Sequence, residues 1–138
     1  EISACLVGSE MCIRDRGQPS PGGHMETDIA AQYHGVKRVA ISGNTSGDNT
    51  LVAAVTGKRI KVLGMVVVAT GDVDFRLESG AGGTALTGII EMAAAGNGFV
   101  LPMTFPGYHW VETAAGAALN MELSAGVQVS GALVYYLD

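Results

Sequence analysis

Val73-Asp74-Phe75-Arg76-Leu77-Glu78-Ser79 sets apolar side chains at 73, 75 and 77 against charged ones at 74, 76 and 78. Strict alternation is the mark of a half-buried β-strand, because successive side chains leave opposite faces of a pleated backbone. A helix would scatter the same residues around its circumference. One face of this segment is therefore core and the other is wet. Leu119, Met121 and Leu123 alternate with Asn120, Glu122 and Ser124 in the same way, and Val127, Val129, Leu133, Tyr135 and Leu137 share one face of the terminal segment.

Working outward from these three, further strands are predicted at Lys37 to Ser42, Thr50 to Val55, Arg59 to Ala69, Leu86 to Met92, Phe99 to Thr104 and Tyr108 to Glu112. Turn signals separate them: Ser46-Gly47-Asp48-Asn49, Thr56-Gly57-Lys58, Gly71-Asp72, Ser79 to Gly83, Gly96-Asn97-Gly98 and Pro106-Gly107. Gly and Asn tolerate the positive φ of tight hairpins, and Pro presets its own φ. About eight or nine short strands at this spacing predict an all-β, antiparallel β-sandwich of jelly-roll type. An immunoglobulin-type sandwich is the alternative, and it lacks its Cys-Trp-Cys core signature here. Val66 to Val68 is apolar on both faces, which predicts a central strand or one at a subunit contact. Helix is expected only as a turn near Asp28 to Tyr33.

The composition fits a single domain. The chain has 138 residues, 48% hydrophobic and only 15% charged, with a net charge of −5. So apolar a chain does not read as a disordered tail, and its acidity argues against a phosphate-binding footprint, so no nucleic-acid partner is expected. No window approaches the roughly 18 uncharged apolar residues of a spanning helix, so no membrane partner is expected either.

Both cysteines, Cys5 and Cys12, fall in the first dozen residues, beside Arg14 and Arg16. The run Leu6-Val-Gly-Ser-Glu-Met-Cys-Ile-Arg-Asp-Arg16 resembles the conceptual translation of a sequencing-library transposon adapter. Residues 1–24 are accordingly expected to be an artefact or a read-through, residues 25–35 an N-terminal arm and residues 36–138 the β-sandwich domain. A Cys pair at this spacing, without further ligands, is not a zinc site. From Met25 onward the chain has no Cys, so no thiol chemistry is expected of the domain.

Residues of catalytic type do not assemble into a chemistry. His34 and His109 have no His-x-x-Glu-His or His-x-His partner and read as surface or interface residues. Asp72 and Asp74 could share a strand face and hold a hard cation, but a solvated turn and strand explain them as well, and no metal is expected. Ser79-Gly-Ala-Gly-Gly83 lacks the Gly-Lys-Ser/Thr ending of a P-loop and precedes a strand, so it reads as a loop. Ser42, Ser46, Ser79, Ser124 and Ser130 stand in no Gly-x-Ser-x-Gly elbow. Lys58, Arg59 and Lys61 read as a solvated strand end. With no defensible acid and base pair, an enzyme is not expected, nor a cofactor.

Tyr108-His109-Trp110 is the aromatic cluster. Its Tyr and Trp could stack on a sugar with His109 as a hydrogen-bond partner, or they could pack in the core or against a neighbouring subunit. These three residues are the candidate ligand or interface site.

Three stretches carry a resemblance. Ser46-Gly-Asp-Asn-Thr-Leu-Val-Ala-Ala-Val-Thr-Gly-Lys-Arg-Ile-Lys-Val-Leu63, then Leu77-Glu-Ser-Gly80 with Gly83-Thr-Ala-Leu-Thr-Gly88, then Trp110-Val-Glu-Thr-Ala-Ala-Gly-Ala-Ala-Leu-Asn120 resemble small virion proteins encoded among the structural genes of tailed bacteriophages. The resemblance spans Val36 to Leu137. It implies a jelly-roll or similar sandwich, located in the virion, that decorates the head or forms part of the tail and has phage capsid or tail proteins as partners. A domain this small, with few charges to cover its surface, is expected to self-associate as a homo-oligomer, preferably a trimer. Small residues such as Ala53, Ala54, Ala93, Ala94 and Ala95 are expected to let flat faces approach.

Overall fold

The computed structural model describes residues 35–138. The expected artefact at 1–24, the arm up to residue 34 with its helical turn near Asp28 to Tyr33, and Cys5, Cys12 and His34 lie outside the described residues.

Among the described residues ten strands follow one another: β1 (Lys37–Gly43), β2 (Gly47–Val52), β3 (Ile60–Ala69), β4 (Val73–Ser79), β5 (Thr84–Ala85), β6 (Ile90–Met92), β7 (Gly98–Leu101), β8 (Val111–Glu112), β9 (Leu119–Leu123) and β10 (Val129–Leu137). All pairings are antiparallel. One sheet has the order β1-β10-β3, with β7 and β8 sharing the far side of β3. The other has the order β2-β9-β4, with β5 and β6 sharing the far side of β4. Taking β5 with β6 and β7 with β8 as interrupted single strands leaves eight. The first, eighth, third and sixth then form one sheet, and the second, seventh, fourth and fifth form the other. This order interleaves strands from the two ends of the chain with strands from its middle, and it defines a jelly roll.

The core lies between the sheets, where the alternating positions meet. Val73, Phe75 and Leu77 of β4 and Leu119, Met121 and Leu123 of β9 are all buried. They face Ile60, Val62, Met65 and Val67 of β3 and Val129 and Leu133 of β10. Phe75 and Phe99 join the layers edge to face, with ring centroids 5.4 Å apart. Val127, Tyr135 and Leu137 pack against the same core, as their shared face predicts.

Several boundaries differ from the sequence expectation for local reasons. The second strand begins at Gly47 and ends at Val52. The Asn49 side chain donates to the Thr45 and Gly47 carbonyls at 2.8 and 3.0 Å, so the turn closes earlier than Ser46 to Asn49. Asn120 pairs with Thr50 and Leu119 with Val52, which leaves Leu51 as an inserted residue, and Leu51 and Val52 are both buried. The strand expected at Leu86 to Met92 is broken, because the Thr87 hydroxyl takes the Leu77 N–H at 3.0 Å in place of a backbone partner. The expected Tyr108 to Glu112 strand contracts to Val111–Glu112.

Candidate functional site

That contraction traces to β3. Val134 pairs with Gly64 and Tyr135 with Val62, so Leu63 is an extra residue on β3. The bulge breaks the pairing of the next strand. β7 pairs with Met65 to Val68, β8 pairs with Lys61 and Val62, and residues 102–110 loop out between them. The loop is fastened to the bulge at both ends: Thr104 N donates to Leu63 O at 2.9 Å and Trp110 N to Val62 O at 2.8 Å. Leu63 is fully buried although it lies outside the inter-sheet core cluster.

The loop tip is a β-turn, with Tyr108 N donating to Phe105 O at 2.9 Å. Pro106 at its second position and Gly107 at its third, with φ of 99°, make it type II. The Phe105 and Tyr108 rings meet edge to face across it, 5.1 Å apart. Tyr108 is 71% exposed and Trp110 47%, so neither belongs to the core. The Trp110 indole N–H is held by the Pro102 carbonyl at 3.0 Å, which leaves the ring and not its donor for a ligand. His109 places Nε2 2.9 Å from Glu112 Oε1.

Beside this loop the outer face of the β1-β10-β3-β7 sheet carries an apolar row across all four strands, flanked on the next row by the exposed Ser42 and Ser130. The cross-strand row runs Ala40, Ala132, Val66, Val100. Ala40, Ala132, Val66 and Val100 are all exposed, as are Val68 and Met103 nearby. Gly64, Met65, Val66, Leu101, Met103, Ala132 and Val134 line a shallow depression in this face. The two-sided apolar run Val66 to Val68 thus resolves into a central strand with Val67 in the core and Val66 and Val68 presented outward. Ala53, Ala54, Ala93, Ala94 and Ala95, expected to flatten a contact face, sit instead in exposed connections between strands. The small residues that do lie on the flat face are Ala40 and Ala132.

The other sequence candidates fall into place locally. The Ser79 to Gly83 segment is a turn whose Gly82 N–H is taken by Asp48 at 3.1 Å, so a carboxylate already occupies the donor a phosphate would need. Ser79 and Ser124 hydroxyls accept backbone N–H groups of Ala114 and Asp74, both at 2.9 Å. Arg59 and Lys61 are paired, with Glu112 and with Asp138, and the Lys61 ammonium holds the Asp138 carboxyl below the usual carboxylate range. Among the described residues no group of three or more His, Cys, Asp or Glu is placed to hold a metal, Asp72 and Asp74 included. No helix among them is long and apolar enough to cross a membrane.

Fold and surface together describe a small jelly-roll domain with one apolar outer face and an aromatic loop at its edge. No protein-family model and no curated protein matches the chain. Among solved structures, it is similar to a chain in the cryo-EM structure of the giant freshwater prawn Macrobrachium rosenbergii extra small virus (XSV) VLP. That match has 18% identity and a TM-score of 0.34, and covers 99% of this chain and 94% of that one. At that TM-score the assignment of the fold rests on the strand order alone.

Proposed function

We propose that this chain is a non-enzymatic structural protein of a tailed-phage virion, a head-decoration or tail-associated subunit that self-associates as a trimer and attaches to a capsid or tail lattice. The observation that carries the reading is the exposed row Ala40, Ala132, Val66 and Val100, with Val68 and Met103 beside it. Contiguous exposed apolar surface of this kind marks a contact site, and a face built on four hydrogen-bonded strands is rigid enough to repeat in a symmetric assembly. The sequence resemblance to phage virion proteins supplies the setting. Neither cofactor nor nucleic acid nor membrane is required by this mode of action.

Light scattering coupled to size exclusion tests it. The full chain at micromolar concentration is expected to give a particle of three times the 14.1 kDa chain mass. A monomer would remove the self-assembly on which the reading depends.

The exposure of Tyr108 and Trp110 favours a second reading, a receptor- or glycan-binding module using Tyr108, His109 and Trp110. In it the Trp110 ring is the stacking platform. Quenching of Trp110 fluorescence by an oligosaccharide panel would support it. An unchanged spectrum across the panel would exclude it.

A further inference from the structure

The outer face of the second sheet is the chemical opposite of the first. It carries Asp48 from β2, Asp74, Arg76 and Glu78 from β4, Glu91 from β6, and Asn120 and Glu122 from β9. Five carboxyl groups therefore share this face with one guanidinium.

Glu78 is 0% exposed even though it projects from the outer side of its sheet. The Gly80 to Gly83 turn explains this. Its Gly82 N–H reaches Asp48, which belongs to a strand two places away, so the turn lies across the intervening side chains. Beneath it, Arg76 Nε donates to Glu78 Oε2 at 3.0 Å, and Arg76 Nη2 pairs with Glu122 Oε1. One guanidinium thus takes an oxygen of each carboxyl and draws the two groups together. The register makes Glu78 and Glu122 diagonal neighbours, within reach for long side chains. Glu78 Oε1 remains, buried and without a donor. Asn120, directly opposite Glu78, does not supply one, since its Nδ2 is also unpartnered and its Oδ1 accepts from Thr50.

A buried carboxylate oxygen without a donor is costly, and two carboxylates held on one guanidinium repel each other. A cation could relieve the clash, but Arg76 already fills the space between the groups with positive charge. A proton relieves it without displacing Arg76.

We propose that Glu78 and Glu122 share one proton, so that this pair, clamped by Arg76 and roofed by the Gly80 to Gly83 turn, is a built-in pH-sensitive device of the domain. The neighbouring Glu78 carboxyl, with burial adding to it, raises the Glu122 carboxyl above its ordinary value, against the lowering by Arg76. The folded protein therefore keeps a proton that the unfolded chain releases. Stability from the pair is present at low pH and is lost as pH rises through the elevated Glu122 value. The released charge lies directly opposite Asp48 and repels the carboxylate that holds the Gly82 N–H. The turn is the element that loosens.

Two measurements on the full chain decide it. Carbon-detected NMR titration is expected to give a Glu122 Cδ midpoint above the ordinary glutamate range, with the Arg76 Nε resonance reporting the same midpoint. A Glu122 midpoint at or below that range overturns the proposal, whether or not any variant folds. In thermal melts across the pH series, the wild-type melting temperature is expected to fall through that midpoint. Glu122→Gln, whose amide donates permanently to Glu78, loses the fall, while Glu91→Gln on the same face retains it. Equal pH slopes for wild type and Glu122→Gln would likewise overturn it.

Discussion

Glycine 131 shows how closely strands β10 and β3 approach. A Cβ at this position would overlap the Val66 carbonyl, a backbone atom that cannot swing aside. Gly131→Ala must therefore shift β10 away from β3 along the centre of the first sheet, and overpacking of this kind costs about 1–3 kcal/mol. Chemical denaturation is expected to show that loss with an unchanged m-value, because the surface exposed on unfolding is nearly the same. Thr113 makes the complementary point about polar atoms. Its hydroxyl accepts the Ile60 N–H at 2.9 Å in a buried setting, just where β3 begins, so a side chain here completes the backbone ladder.

The decisive element is the bulge on β3. By inserting Leu63 it divides the neighbouring edge strand into β7 and β8 and sends the aromatic loop outward. Leu63→Ala removes a fully buried apolar side chain that lies outside the inter-sheet core cluster. It is expected to destabilise the domain by about 2–4 kcal/mol. Hydrogen exchange should accelerate most at the Thr104 and Trp110 amides, which bond to the bulge. Uniform acceleration across β4 and β9 would show instead that Leu63 supports the main core. Such a bulge is hard to read from sequence, because an inserted residue looks apolar in a strand that is apolar throughout. The regular strands were legible for the opposite reason: β4 and β9 each bury one face and wet the other, so their alternation is unbroken. Interruption of the β5/β6 edge by Thr87 depends on a long-range hydroxyl contact and leaves no periodic trace. Part of the candidate surface was legible as well. Val66 and Val68 stood out as apolar where alternation called for polar residues, whereas Ala40, Val100 and Ala132 join them only through register. The burial of Glu78 was hidden, since its position in the alternating pattern marks it as wet and only the overlying turn excludes water.

At the scale of the molecule the two outer faces divide the work. One carries four solvent-accessible carboxyls, with Glu78 buried beneath the Gly80 to Gly83 turn, and a single Arg, which favours hydration and resists contact with another acidic copy. The other carries the apolar row, with Ser42 and Ser130 beside it and its nearest basic groups, Arg38 and Lys61, toward one end. An assembly that buries the apolar row and leaves the acidic face in water satisfies both. Charge placed on that row should then dissociate the assembly, since an unpaired ammonium in a buried contact costs several kcal/mol and its side chain has no carboxylate across the row to meet. Val66→Lys combined with Val100→Lys is expected to shift the full chain to monomer in light scattering. The melting temperature of the separated domain should change little, because both side chains already face solvent within one subunit. Glu91→Lys, on the opposite face, is the matched control and should leave the oligomer intact. Were that control to dissociate the particle while the double lysine variant did not, the contact would lie on the acidic sheet.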